Sequence, residues 1–312
     1  MAQYKAFMKR AEIMQLMTLA RIGENEELLS IISRQLVRAK KEKRPGYVQV
    51  FGKLEHWLEA DNTPPPFSVF VEGNGKLPFL QFANAPVVNC PGAGDCLSFC
   101  YSLGSWRHIN AVGRQLMNTV LMQTAAGRKV ISWEFAKALD TKKLRKLERV
   151  DFRLYVDGDF ASTDEIKFWL ELLKKFPRVR SYGYSKSVHL FLELEKQGYD
   201  WPKIGSEYLY TLNLSSGGKF DGAGYWQQLE KLPFVRGRFI AVQLDGLRSG
   251  KARSKQDRAD IYAAVGKPAA YKERTGRRLF ICPGQCGSCT TAGHACGNGD
   301  KFKNVDVLIP VH

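Results

Sequence analysis

No apolar run in the 312 residues is long enough to span a bilayer, because charged or polar residues interrupt every candidate. Residues 1–21 hold neither an uninterrupted apolar h-region nor a small-residue cleavage site. Together these absences predict a cytoplasmic protein with no membrane partner. Acidic residues are scarce, with 31 Asp and Glu against 47 Lys and Arg, for a formal net charge of +16. Such an excess favours a polyanionic partner, of which nucleic acid is the commonest, although a basic face that binds only a small anion is the alternative. Cysteine is missing from all but two short stretches. What is present is enough for a real core: 44% of residues are hydrophobic and 12% aromatic, which excludes a predominantly disordered chain.

The two cysteine stretches carry the chemistry. The first reads Cys90-Pro91-Gly92-Ala93-Gly94-Asp95-Cys96-Leu97-Ser98-Phe99-Cys100, and the second holds Cys282, Cys286, Cys289 and Cys296. Scattered core cysteines do not cluster in this way. A disulfide framework fits poorly with seven cysteines in a long chain expected in a reducing compartment. Clustered thiolates point instead to metal. Four thiolates can close a tetrahedral zinc site or hold every corner of a 4Fe-4S cluster; three leave one coordination position open, as a reactive site requires. The expectation is therefore one open site and one closed site. Zinc remains the alternative to iron–sulfur clusters, His294 could replace a thiolate of the second group, and His108 could complete the first.

Along the chain, residues 1–45 read as a helical hairpin. Phe7, Met8, Ala11, Met14 and Leu19 recur at helical spacing, Gly23 interrupts, and Leu28, Leu29, Ile32, Leu36 and Val37 resume it. This hairpin could dock on the core, receive a protein partner or contact phosphates. The run Arg38–Arg44 followed by Pro45-Gly46 reads as a basic linker. Residues 64–280 then read as an α/β core. Ser68–Glu72 and Leu77–Phe82 look like short strands, and a helix is expected over Ser105–Thr124. Strands at Phe152–Val156, Val179–Tyr184, Tyr208–Leu214 and Phe239–Leu244 alternate with helices at Asp164–Phe176, Val188–Gln197 and Tyr225–Leu229. That alternation predicts a parallel sheet with right-handed crossovers, as in a partial (β/α) barrel, followed by a Cys-rich metal-binding segment and terminal strand over 281–312. Sites in such sheets lie at the C-terminal strand ends. Asp157-Gly158-Asp159 occupies one such end, and Ser185 and Lys186 the next. The bland reading of Asp157-Gly158-Asp159 is a tight turn. Residues 248–278 are strongly basic, and Arg248, Lys251, Arg253, Lys255 and Arg258 are the best local candidates for phosphate contact.

The triad ending in Cys100-Tyr101 after a first strand resembles the cluster loop of radical S-adenosylmethionine proteins. That resemblance implies a 4Fe-4S cluster, or two, with S-adenosylmethionine on the open iron. It also implies a role for Asp157, Gly158 and Asp159 in holding the cofactor's amino group, with Ser185 and Lys186 in the next unit. The usual spacing of three residues then two is not that of Cys90, Cys96 and Cys100, although Cys282, Cys286 and Cys289 have it. The first group is expected to be the open site and the second auxiliary, with the reverse assignment as the alternative. The chain also resembles the phage- and plasmid-borne family named for gene product 88. The shared features are Cys90-Pro91-Gly92, Cys100-Tyr101, Gly158-Asp159-Phe160 with Trp169, Tyr184-Ser185-Lys186 and the late cysteines. This resemblance covers residues 80–312 and leaves out the N-terminal helices. It implies a protein of a mobile element. With the basic charge, the expectation is an enzyme acting on or near nucleic acid, or a non-catalytic, metal-stabilised nucleic-acid-binding or regulatory protein.

Overall fold

The computed structural model describes residues 7–60, 64–73, 78–221, 224–244, 255–284, 286–287, 289–290, 293–299 and 301–311. The chain opens with three helices, α1 (Arg10–Ile22), α2 (Asn25–Lys41) and α3 (Pro45–Glu59). Gly23 ends α1 in the left-handed region at φ +81°. Glu26 and Glu27 in the first turn of α2, with Arg38, Lys40 and Lys41 in its last, complement the helix dipole. The expected basic linker is instead the end of α2 and the start of α3. Pro45 occupies the first turn of α3, where its fixed φ suits the helix and its missing N–H leaves nothing unsatisfied. The expected hairpin is thus part of a three-helix layer.

After strand β1 (Leu80–Gln81), two 3₁₀ turns (Asp95–Phe99 and Tyr101–Arg107) lead into α4 (Ile109–Gln123) and α5 (Ala125–Leu139). The expected strand over Ser68–Glu72 is reduced to one antiparallel bridge, Val71 to Gln81. Then come β2 (Val150–Arg153), α6 (Thr163–Lys174), β3 (Val179–Ser185), α7 (Val188–Lys196), a small antiparallel ribbon of β4 (Lys203–Ile204) and β5 (Glu207–Tyr208), β6 (Tyr210–Ser215), α8 (Tyr225–Leu229) and β7 (Val235–Gln243). The chain continues through α9 (Lys255–Val265), α10 (Pro268–Thr275), β8 (Arg278–Ile281) and β9 (Val305–Val311). No helix among the described residues is long and apolar enough to cross a membrane.

Seven strands form one sheet in the order β1-β2-β3-β6-β7-β9-β8, and every pairing is parallel. The sheet is open, with β1 and β8 as its edges among the described residues, rather than a closed barrel. In-register parallel neighbours share a face. Phe152, Leu212 and Leu214 turn to the helix-covered face, where Leu116, Ile131, Phe135, Trp169 and Phe191 meet them in one core. That core also takes in Leu16, Leu28, Ile32 and Phe51 of the N-terminal helices, so the helical layer and the α/β unit share one interior. Arg21 Nη1 adds a hydrogen bond to Gln123 Oε1, tying α1 to α4 at 2.8 Å.

Steps from β1 to β7 run in one direction across the sheet, and so does the step out to β8. The last step reverses, because β9 inserts between β7 and β8. A right-handed crossover that moves backward must pass over the opposite face. The connection from β8 to β9 contains the second cysteine group, and this rule delivers it to the face that the helices leave open.

The shared interior predicts that a cavity in α1 is felt by the whole chain. Leu16 is fully buried, so Leu16→Ala is expected to cost about 2–5 kcal/mol. Urea denaturation followed by circular dichroism should show one transition at a lowered midpoint, and a separate early transition for the N-terminal helices would contradict the shared core.

Candidate metal centre

The first cysteine group lies across the C-terminal ends of the central strands. Val87, a β-branched residue, is held at φ +72°, and its carbonyl accepts from the Cys90 N–H at 3.1 Å. Strain of this kind persists only where surrounding contacts enforce it. Here the loop that follows is pinned on several sides. The Gly94 and Cys96 N–H groups both donate to the Gly217 carbonyl beyond β6, Lys219 N–H donates to Gly92, and Ala93 bridges Gly218. Gly92 packs so tightly that an added Cβ would lie 1.9 Å from the Lys186 carbonyl oxygen. Tyr101 reaches the end of β2, its hydroxyl donating to the Val156 carbonyl at 3.0 Å.

Burial pushes the Cys90 and Cys96 thiols up, and the Lys186 ammonium pulls both back down. The nearby charges of Cys100 and Asp159 raise them further. Lys186 Nζ itself donates to Ser215 Oγ at 2.8 Å. Cys90 and Cys96 are thus desolvated thiols near one cation, a setting in which an ion that takes thiolates as ligands is favoured over the free thiolates.

Asp159 is buried, and its carboxylate is fully engaged within the protein. It accepts from the Phe160 N–H, the Ser185 hydroxyl, the Lys186 N–H, and both the N–H and hydroxyl of Ser187. Burial raises its pKa, and these donors oppose that rise. Asp157 is the more open of the pair and accepts from Gln115 Nε2 at 2.9 Å. Gly158 stands between them at φ +81°, and a Cβ there would fall 1.7 Å from Asn84 Oδ1. The sequence-predicted residues Asp159, Ser185 and Lys186 therefore come together beneath the Cys90 loop, with Asp157 and Gly158 at their margin.

The second group sits on the open face of the sheet. Cys282, Cys286 and Cys296 pack with Phe79, Tyr182, Tyr184, Phe239, Phe280 and Val307. Cys282 N–H donates to Leu308, and the Cys296 carbonyl accepts from Asn213 Nδ2 at 3.0 Å. Burial pushes the Cys282 thiol up to about 11, with Cys296, Cys286 and Cys289 adding to the rise. The Ala295 N–H points at Cys289 Sγ across 3.4 Å. His294, a possible substitute ligand, has both ring nitrogens committed. Nδ1 accepts from Gly297 N–H, and Nε2 lies 3.3 Å from Asp151 Oδ2. Among the described residues, no three His, Cys, Asp or Glu side chains are gathered as a ready-made ligand set. The donor chemistry of both groups still suits a thiolate-bound metal, since each holds desolvated sulfur near positive charge, the half-buried Lys186 for the first and buried arginines for the second.

Two of those cations escape a reading of the sequence. Arg153 and Arg236 are buried on the cysteine-bearing face. Arg153 aligns with Tyr182, and its guanidinium stands 4.9 Å from the Tyr184 ring centroid. Arg236 is the extra residue where the β6–β7 register shifts, and that bulge turns it toward Asn213. The only signal in the sequence is a charge inside a strand whose neighbours are apolar. Of the candidate phosphate contacts, Arg248, Lys251 and Arg253 lie outside the described residues. Lys255 begins α9, where only its backbone is described, and Arg258 is exposed on the same helix.

The engagement of Asp159 predicts a structural role that can be measured. Asp159→Asn removes the charge that its donors serve and is expected to cost about 2–3 kcal/mol. Gly92→Ala should also destabilise, because the added methyl meets backbone. Equilibrium denaturation checks both, and wild-type stability in Asp159→Asn would show that the carboxylate is dispensable to the fold.

Neither a curated protein nor a solved structure matches the chain. The sequence profile described as Gene product 88 matches residues 10–233, more than two thirds of the chain. The match corrects the expected extent of the likeness: it begins in α1, so the N-terminal helices are included, and it ends before the second cysteine group. Within it fall Cys90, Cys96, Cys100, Asp157, Asp159 and Lys186. The chain belongs to the gene product 88 family.

Proposed function

We propose that this chain is an iron–sulfur protein, with Cys90, Cys96 and Cys100 holding a 4Fe-4S cluster that keeps one iron open. The observation that carries the reading is the seat of the triad: one loop pinned over the C-terminal ends of β3 and β6, beside Lys186. Small-ligand sites of parallel sheets lie at that edge. Cys282, Cys286, Cys289 and Cys296 form the closed, auxiliary site. With S-adenosylmethionine and a one-electron reductant, such a cluster supplies reductive cleavage of the sulfonium to methionine and a 5′-deoxyadenosyl radical. The chain's own work is to hold and orient. Asp157, the more open carboxylate, would meet the cofactor's amino group. Asp159 would act at one remove, fixing Ser185, Lys186 and Ser187. The net charge of +16 supports a substrate that is, or is bound to, nucleic acid.

A second reading has its own support. Asp159 has its oxygens taken up inside the protein, as suits a non-catalytic, metal-stabilised protein that binds nucleic acid, with iron–sulfur clusters or zinc in structural roles. Anaerobic purification separates the two readings. The first expects a brown protein with iron and acid-labile sulfide, and 5′-deoxyadenosine on reduction with S-adenosylmethionine. Cys90→Ser, Cys96→Ser or Cys100→Ser should abolish that product while leaving the auxiliary site loaded. A colourless protein carrying zinc sinks the iron–sulfur reading. Iron without 5′-deoxyadenosine, together with DNA affinity that falls steeply with salt, would establish the second.

A further inference from the structure

A buried charge is tolerated when something neutralises it. Arg153 is 9% exposed and Arg236 fully buried. Neither belongs to an ion pair among the described residues. Among the described residues, Arg153 Nε has no hydrogen-bond partner, and Arg236 donates to neutral acceptors, the Asn213 side-chain amide and the carbonyls of Val305 and Arg238. Of the nearby acids, Asp306 is committed to Arg277 at 2.6 Å and Tyr271 at 2.7 Å, and Asp157, whose carboxylate feels the charge of Arg153, makes no ion pair with it among the described residues. The second cysteine group packs on the same tyrosines. Arg153 aligns with Tyr182 and stands 4.9 Å from the Tyr184 ring centroid, and both tyrosines share one cluster with Cys282, Cys286 and Cys296. The Cys296 carbonyl is tied to the same Asn213 that holds Arg236.

We propose that Arg153 and Arg236 are the counter-cations of the site formed by Cys282, Cys286, Cys289 and Cys296, and that they make it a receptor for a centre of net negative charge. Four thiolates around one divalent ion leave two negative charges, which the two guanidiniums offset. A 4Fe-4S cluster held by the same thiolates is also an anion, so the requirement is shared by both kinds of centre. The inference rests on the reading that these cysteines bind metal. It adds that the sheet itself selects for all four ligands being thiolates, with His294 kept out of the set by Asp151 and Gly297.

The test uses the full chain in its metal-free, reduced form, titrated with Co²⁺. The probe is the thiolate-to-cobalt absorption, and the part of the band lost in Cys296→Ser marks this site. Arg153→Met is expected to weaken cobalt binding there by about 10–100-fold, and Arg153→Lys to recover most of it. The metal-free Arg153→Met chain should also unfold at a higher temperature than wild type, because an unpaired buried charge has been removed. A merely structural arginine would give the opposite shift. Arg236→Met and Arg236→Lys repeat the comparison on the other side of the site. Unchanged cobalt affinity in Arg153→Met, or Arg153→Lys as weak as Arg153→Met, overturns the counter-cation role while leaving the metal reading intact. Absence of the thiolate band in wild type overturns both.

Discussion

Much of the arrangement at the strand ends depends on one carboxylate. Asp159 leaves the end of β2 and collects the backbone and hydroxyl donors of Ser185, Lys186 and Ser187 at the end of β3. Those bonds fix the peptide whose carbonyl, at Lys186, is the floor on which Gly92 rests. From Gly92 the constraint passes to Lys219 and Gly217, and so to the seat of Cys96. A single buried carboxylate thereby joins the loop after β2 to the end of β3 and, through Gly92, to the cysteine loop laid over them. Its desolvation is a cost that only a full complement of donors offsets.

The two cysteine groups reach the same sheet by different routes, and the difference is topological. The first arrives over the strand ends, as loops in parallel sheets ordinarily do. The second arrives across the open face because the last crossover runs backward. Arg153 and Tyr184 stand between them, with Tyr101 from the first region and Cys286 from the second both within the field of Arg153. This face sets sulfur and two buried arginines among its aromatic residues, where the opposite face is aliphatic and aromatic throughout its core.

Much of the sheet was legible in the sequence, because β2, β3, β6 and β7 alternate with amphipathic helices at regular intervals. The edges were not. Val71 and Leu80–Gln81 make too few pairings to leave a periodic trace. Helix α3 was hidden because Pro45-Gly46 reads as punctuation, yet a proline in the first turn opens a helix as readily as it closes one. Strand order lay outside any local pattern, since nothing near Val305 says that β9 pairs between β7 and β8. The candidate residues stand out in the sequence through cysteine clustering and through Asp157-Gly158-Asp159. Which of the two carboxylates the Ser185–Ser187 donors reach does not, because it depends on the fold. Arg153 and Arg236 were invisible for a related reason: a strand arginine declares its burial only when the register is known.

The insertion of β9 has a consequence for how the chain comes together. β9 follows every other strand in the order of synthesis, yet it lies inside the sheet. Until it emerges, β7 and β8 present unpaired edges to whatever strand is nearby, and the sulfur-bearing connection has no surface on which to settle. Completion of the sheet and shaping of that connection are therefore one late event, and the nascent chain must be kept from edge-to-edge association until it occurs.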